Sequence, residues 1–219
     1  MPITVEMDPS SESLALSDRD RRTIVERYGK RFAEFGVDLR TLNPGKYYEP
    51  QHAVHASVGD LHGKTLLDIG CGFGDYYAYL RGRGIGVRYV GYDFIAPFVE
   101  AGRERFPEAT FAVKDVTRDP IEHEADYAVM CQVFNNRYAD SDNTAVVKAV
   151  VRKAFAAARL AVSVDMLSTY VNYRDEKMAY FSPEEMFAFG KSLTPYVRVQ
   201  HDYAPHHFTL FLYREPFRP

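Results

Sequence analysis

The sequence predicts an α/β fold, an open and mostly parallel sheet with helices packed on both faces. Three observations carry that prediction. The stretch Thr65-Leu66-Leu67-Asp68-Ile69-Gly70-Cys71-Gly72-Phe73-Gly74-Asp75 runs from apolar strand formers into an acid, three alternating glycines and a helical pattern. Strand-like and helix-like segments then alternate along most of the chain, as parallel crossovers require. Finally, the runs Tyr196 to Asp202 and Phe208 to Tyr213 alternate in polarity and read as a closing hairpin. With 219 residues, 46% of them hydrophobic, the chain is long enough to bury one core. A single domain over 18–219 is expected behind a polar, aperiodic tail over 1–17.

In chain order, Ile24, Val25, Tyr28, Phe32 and Phe35 recur at three- and four-residue steps from Asp18, and Gly36 suits a helix C-cap. A loop through Asn43-Pro44-Gly45 leads to a second helix over 47–58, so that 18–60 holds two helices ahead of the sheet. The glycine-rich strand turns into a helix from Asp75 to about Arg83. A second strand ends at Asp93, and Ala96-Pro97 opens a helix, since proline suits a first turn. A third strand, Thr110 to Val113, precedes Lys114-Asp115. The fourth is Ala125 to Cys131, and a helix with Val146, Val147, Val150, Val151 and Phe155 on one side follows it. Leu160 to Met166 is the fifth strand. Ser182-Pro183-Glu184-Glu185 reads as a capping box.

Composition removes several function classes. A formal net charge of −3 gives no electrostatic case for nucleic acid. Two cysteines, Cys71 and Cys131, both at strand ends, suggest a reducing compartment and small residues lining a cleft rather than a disulfide. No segment is long and apolar enough for a membrane span, and the polar N-terminus is no signal peptide, so a cytoplasmic location is expected.

Glycines at the end of the first strand let a ligand approach the backbone where a Cβ would stand in the way. A dinucleotide fingerprint asks for G-x-G-x-x-G with pyrophosphate on the helix N-terminus. Here the spacing is G-x-G-x-G, and Asp75 stands where the third dinucleotide glycine would be. A carboxylate there repels pyrophosphate and disfavours an NAD-dependent dehydrogenase. S-adenosyl-L-methionine (SAM) has the opposite character, with a sulfonium, an ammonium and no phosphate, and Asp68 at the strand end suits a cation. LLDIGCGFGD closely resembles the first motif of the class I SAM-dependent methyltransferases. Two more acids follow in order, Asp93 after Tyr89-Val90-Gly91-Tyr92 and Asp115 after Thr110 to Lys114. They resemble the family's carboxylate for both ribose hydroxyls and its partner for the adenine amino group.

That resemblance implies a Rossmann-like three-layer sandwich whose seven-stranded sheet has the order 3-2-1-4-5-7-6, the seventh strand antiparallel. It implies SAM as cofactor and S-adenosyl-L-homocysteine as product. It places the cofactor against Asp68, Gly70, Cys71, Gly72, Asp93, Phe94, Asp115, Val116, Cys131, Gln132 and Tyr28. The N-terminal helices would cover it, with Tyr28, Arg31, Lys46, Tyr47, His52 and His55 as lid candidates. The C-terminal half, from Leu167 to Glu176 and from His201 to Leu210, resembles a group of small bacterial members without a common substrate.

Ligands of such sheets bind outside the carboxyl ends of the strands. Cys131 to Tyr138 lacks the Asn/Asp-Pro-Pro-aromatic element that nucleobase N-methyltransferases share, which argues against that substrate. Gln132 and Asn135 suit a hydroxyl-bearing ligand and Arg137 an anionic group. Tyr170 and Tyr173, with amides beside them, suit a sugar, polyol or phenol. With His52 and Tyr47, these residues (Asn135, Arg137, Tyr170 and Tyr173) are the expected substrate contacts. Methylating a hydroxyl needs a base in reach. His206, His207 and Asp165 rank first by location, with His52, His55 and Asp202 behind them, and no ligand spacing demands a metal. The expected activity is O-methylation of a carbohydrate or specialised metabolite, a sugar or oligosaccharide leading. A small-amine N-methyltransferase and a non-catalytic SAM-binding protein are the alternatives, and a homodimer is left open.

Overall fold

The computed structural model describes residues 15–42 and 47–217. The first fourteen residues of the expected tail, the Asn43-Pro44-Gly45 loop and the lid candidate Lys46 lie outside the described residues. The helices are α1 (Asp18–Phe35), α2 (Leu39–Leu42), α3 (Tyr48–Ala56), α4 (Asp75–Gly82), α5 (Ala96–Arg105), α6 (Asn143–Ala157) and α7 (Pro183–Leu193). The strands are β1 (Thr65–Ile69), β2 (Arg88–Asp93), β3 (Thr110–Val113), β4 (Ala125–Met130), β5 (Ala158–Leu167), β6 (Tyr196–Gln200) and β7 (His207–Tyr213).

The strands form one sheet in the order β3-β2-β1-β4-β5-β7-β6. β1 pairs in parallel with β2 and β4, and β7 runs antiparallel to both β5 and β6. The expected order and the antiparallel seventh strand are thus present. Strand side chains alternate faces, so each central strand feeds two cores. Leu67, Val90, Met130 and Val162 pack with Val147 and Val151 of α6 and Phe189 of α7. Leu66, Tyr89, Val129 and Phe211 pack with Val54 of α3, Leu80 of α4 and Val99 of α5. A third cluster sits at the carboxyl edge, where Ile24, Tyr28 and Phe32 of α1 meet Phe73, Ile95 and Phe98.

Local signals explain the ends of the helices. Ser17 accepts from the Asp20 N–H to start α1, and Gly36, at φ 62°, donates to Phe32 O at 2.8 Å to stop it. The end of the expected tail is packed instead of loose: Leu16 is buried and its N–H reaches Thr117 Oγ1 at 3.2 Å. At α7, Ser182 caps the Glu185 N–H at 3.1 Å, but the Glu185 carboxylate turns to Lys148 Nζ at 2.6 Å. The capping box is therefore half formed, because a cation on α6 competes for its acid. β5 and β7 outrun their expected ends, with Leu167 opposite His207 in the ladder.

Candidate active site

The loop after β1 is shaped by glycine. Gly70, Gly72 and Gly74 have φ of 77°, 54° and 83°, a region costly for residues with a Cβ. At Gly70 a Cβ would also lie 2.5 Å from Val133 Cγ2. The N–H groups of Gly70 and Cys71 donate to Tyr92 O at 2.7 and 3.1 Å, tying the loop to β2. Asp93 closes the turn, accepting from Gly72 N–H at 3.0 Å and from Ile95 N–H at 2.9 Å. Burial pushes its carboxyl up to about 6 against the pull of those backbone bonds. Asp68, buried at the end of β1, accepts from the Tyr89 hydroxyl at 2.6 Å, and burial pushes it up to about 7. Asp75 pairs with Arg105 at 3.0 Å through Oδ1, while its buried Oδ2 has no partner.

These groups line one cavity over the carboxyl ends of the central strands. Every residue expected to hold the cofactor is in its wall: Tyr28 from α1, Asp68 to Gly72, Asp93 and Phe94, Asp115 and Val116, Cys131 and Gln132. Asp115 is engaged from above, its Oδ2 accepting from Arg21 Nε of α1 at 3.1 Å and its Oδ1 from the Thr117 hydroxyl at 2.6 Å. Of the expected substrate contacts, His52 and Asn135 are in the same wall. Tyr47 is not in it, and its ring lies 6.0 Å from that of His207. Arg137 lines an adjoining groove with Lys177. Tyr170 and Tyr173 are 60% and 78% exposed and are not in the wall, and the Tyr170 hydroxyl donates to Glu184 of α7.

None of the three leading base candidates, His206, His207 and Asp165, is in the cavity wall. Asp165 is paired opposite Thr209 inside the β5–β7 ladder, below the rim instead of past a strand end. Its carboxylate is already committed, accepting from Gln132 N–H and from Gln51 Nε2 at 2.6 Å each. Burial opposes ionisation there, yet the neighbouring His55 and the Gln132 N–H hold its pKa below the ordinary value. His207 Nδ1 lies 3.1 Å from Gln51 Nε2.

Of the candidate bases, His52 is the one in the cavity wall. Its Nδ1 is buried without a partner. Burial first, and then His55 beside it, push its pKa down to about 3, so the imidazole is neutral. Its ring is packed by Tyr48 at 4.2 Å and by Tyr76 at 5.1 Å, both of which share the wall. Tyr76 OH and Asn135 Oδ1 are further buried atoms in that wall without partners. Tyr48, Gln51 and Tyr76 were not singled out from the sequence. Their signal was faint: Tyr48 and His52, like Gln51 and His55, stand four apart on one short helix. Among the described residues, Gln132 is the one non-glycine with positive φ, at 59°. Its side chain donates to Gln51 Oε1 at 2.9 Å.

A methyltransferase-domain family model matches residues 67–159. Rv1506c of Mycobacterium tuberculosis, a protein assigned as a methyltransferase, is 31% identical over 154 residues, which are 68% of this chain and 92% of its own. The chain belongs to the class I SAM-dependent methyltransferases. Solved structures share the fold. Magnesium protoporphyrin IX methyltransferase (ChlM) of Synechocystis PCC 6803, with bound S-adenosylhomocysteine, superposes at TM-score 0.61 and 14% identity over 95% of this chain and all (100%) of that one. The 1,6-didemethyltoxoflavin-N1-methyltransferase of Burkholderia thailandensis does so at TM-score 0.59 and 15% identity over 99% of both chains.

The methyltransferase's cofactor is SAM, and the cavity fits it chemically. Asp93 and Asp115 are buried acceptors at two neighbouring strand ends, suited to hydroxyl and amino donors. Asp68 and the unpartnered Asp75 Oδ2 are buried acceptors suited to the ammonium of a ligand with a cationic end. Among the described residues, no helix is long and apolar enough to cross a membrane.

Proposed function

We propose that this methyltransferase methylates a hydroxyl of a small molecule, a carbohydrate or specialised metabolite. The supporting observation is His52, the one candidate base among the residues of the cavity wall, whose Nδ1 has no hydrogen-bond partner. In this reading Asp93 takes the ribose hydroxyls, Phe94 and Val116 flank the base, Asp115 meets its amino group, and Asp68 and Asp75 face the amino-acid end. SAM supplies an electrophilic methyl group on a sulfonium. The protein's task is to hold the acceptor oxygen in line and to take its proton as the new bond forms. Gln132 and Asn135 orient the hydroxyl, the rings of Tyr48 and Tyr76 carry an apolar sugar or phenol face, and His52 Nδ1 accepts the proton.

A small-amine acceptor is the second reading, favoured by Asp75, whose Oδ2 has no hydrogen-bond partner and which shares the cavity wall with those rings, since a carboxylate with aromatic faces also suits a cation. Incubation of the protein with methyl-labelled SAM and panels of sugars, phenols and amines separates the two. Label on oxygen in a sugar or phenol is the expected result. Label confined to amines would transfer the assignment to nitrogen, and no label in any panel would remove the support for a small-molecule acceptor of these classes.

A further inference from the structure

We propose that His55, Cys131 and Asp165 form a site for a divalent metal ion of the zinc type, behind the part of the cavity wall to which Cys131 belongs. A ring nitrogen of His55, the sulfur of Cys131 and a carboxylate oxygen of Asp165 all lie within 4.8 Å of one another. His55 Nε2 stands 3.7 Å from Asp165 Oδ1. That is too long for a hydrogen bond, but it is near the separation of roughly 3.4 Å between two ligands of one tetrahedral zinc ion with bonds of about 2.0–2.1 Å. The His55 side chain is completely buried (0% exposed), yet its Nε2 makes no hydrogen bond and has the Asp165 carboxylate near it. A buried ring nitrogen left without a partner is costly unless something absent from the protein itself takes its lone pair.

The surroundings are those of a metal ligand. His55 Nδ1 is held by Ser163 Oγ at 2.6 Å; with that nitrogen donating, Nε2 presents its lone pair to the cluster, the usual outer hydrogen bond of a ligating histidine. Asp165 is fixed by Gln51 on one oxygen and by the Gln132 N–H on the other. Imidazole, thiol and carboxylate together suit a borderline ion such as zinc better than calcium or magnesium, which take oxygen ligands. Three protein ligands leave a fourth position. Cys131 and Gln132 are in the cavity wall, so that position opens towards the cavity, where the ion would bind water or an acceptor oxygen and ease its deprotonation. The ion-binding claim stands whatever the acceptor proves to be.

The full-length protein is dialysed against zinc, washed and analysed for metal by mass spectrometry, and a second sample is titrated with Co²⁺ alone. One zinc per chain and a thiolate-to-cobalt charge-transfer band are expected. Cys131→Ser, with its fold checked by circular dichroism, should lose the band. Ser163→Ala, a milder change, should weaken metal binding about tenfold to a hundredfold while keeping the band. A wild-type protein that retains no zinc and shows no thiolate band overturns the site, as does a band unchanged in Cys131→Ser. If Cys131→Ser does not fold, unaltered metal affinity in Ser163→Ala overturns it.

Discussion

Asp93 holds its carboxylate in place with two backbone N–H groups and still reaches the cavity, so its charge is the quantity to perturb. Asp93→Ala removes a charged acceptor, and calorimetry should show SAM binding weakened by well over about tenfold. Its pH dependence has a definite sign. The carboxyl is pushed up to about 6, so it is protonated below that value and ionised above it, and SAM affinity should rise as pH increases through it. A flat affinity across that range would contradict the role. His52 behaves differently: with its pKa pushed down to about 3, it contributes no titration to turnover between about pH 5 and 8. Residues at strand ends were legible in the sequence because each acid directly follows its apolar run. His52 and Tyr48 were harder, since facing the cavity depends on how α3 packs. Asp165 misled because a place near a strand end does not show that Gln51 and the Gln132 N–H already hold its carboxylate inside the β5–β7 ladder.

Helix α1 is clamped by its own acid. Buried Asp20 accepts from the N–H groups of Ala139 and Ser141, at 2.6 and 2.8 Å, and from the Ser17 and Ser141 hydroxyls. Burial disfavours its charge, but those donors win and hold its pKa down to about 2. Because the folded pKa lies below the ordinary 3.8, this stabilisation is present above that value and is lost as pH falls towards 2. Asp20→Ala should cost about 1.5–3 kcal/mol, read by denaturant titration, and should raise hydrogen exchange in α1 first. Equal exchange in α1 and α6 after the change would show that the clamp is not local. The turn after β1 makes a second test at this scale. Gly70→Ala meets both a positive φ and Val133, and should destabilise by at least about 2 kcal/mol. The helices themselves were legible from three- and four-residue steps and caps. The partners of their charged groups were not, as Glu185 shows by leaving its own N-terminus for Lys148.

At the scale of the molecule, the site is a consequence of topology. The sheet brings the ends of β1, β2, β3 and β4 to one edge, and α1 and α3 cross that edge, so residues from Tyr28 to Asn135 converge on one cavity. Alternating strands and helices made the α/β class legible, and the glycine-rich motif supplied the strand order through resemblance. The acceptor side was less legible because it is assembled from α3, the β4 rim and buried β5, segments far apart in sequence whose pairing no local pattern records; His55, Cys131 and Asp165 are the extreme case. The most direct test of this account compares transfer of a labelled methyl group by the wild-type protein and His52→Ala, with SAM affinity measured on both. SAM affinity within about threefold of wild type, together with turnover lower by about a hundredfold or more, is predicted for loss of a general base. Turnover equal to wild type in His52→Ala would contradict the assignment of His52 and the arrangement of the acceptor site built around it.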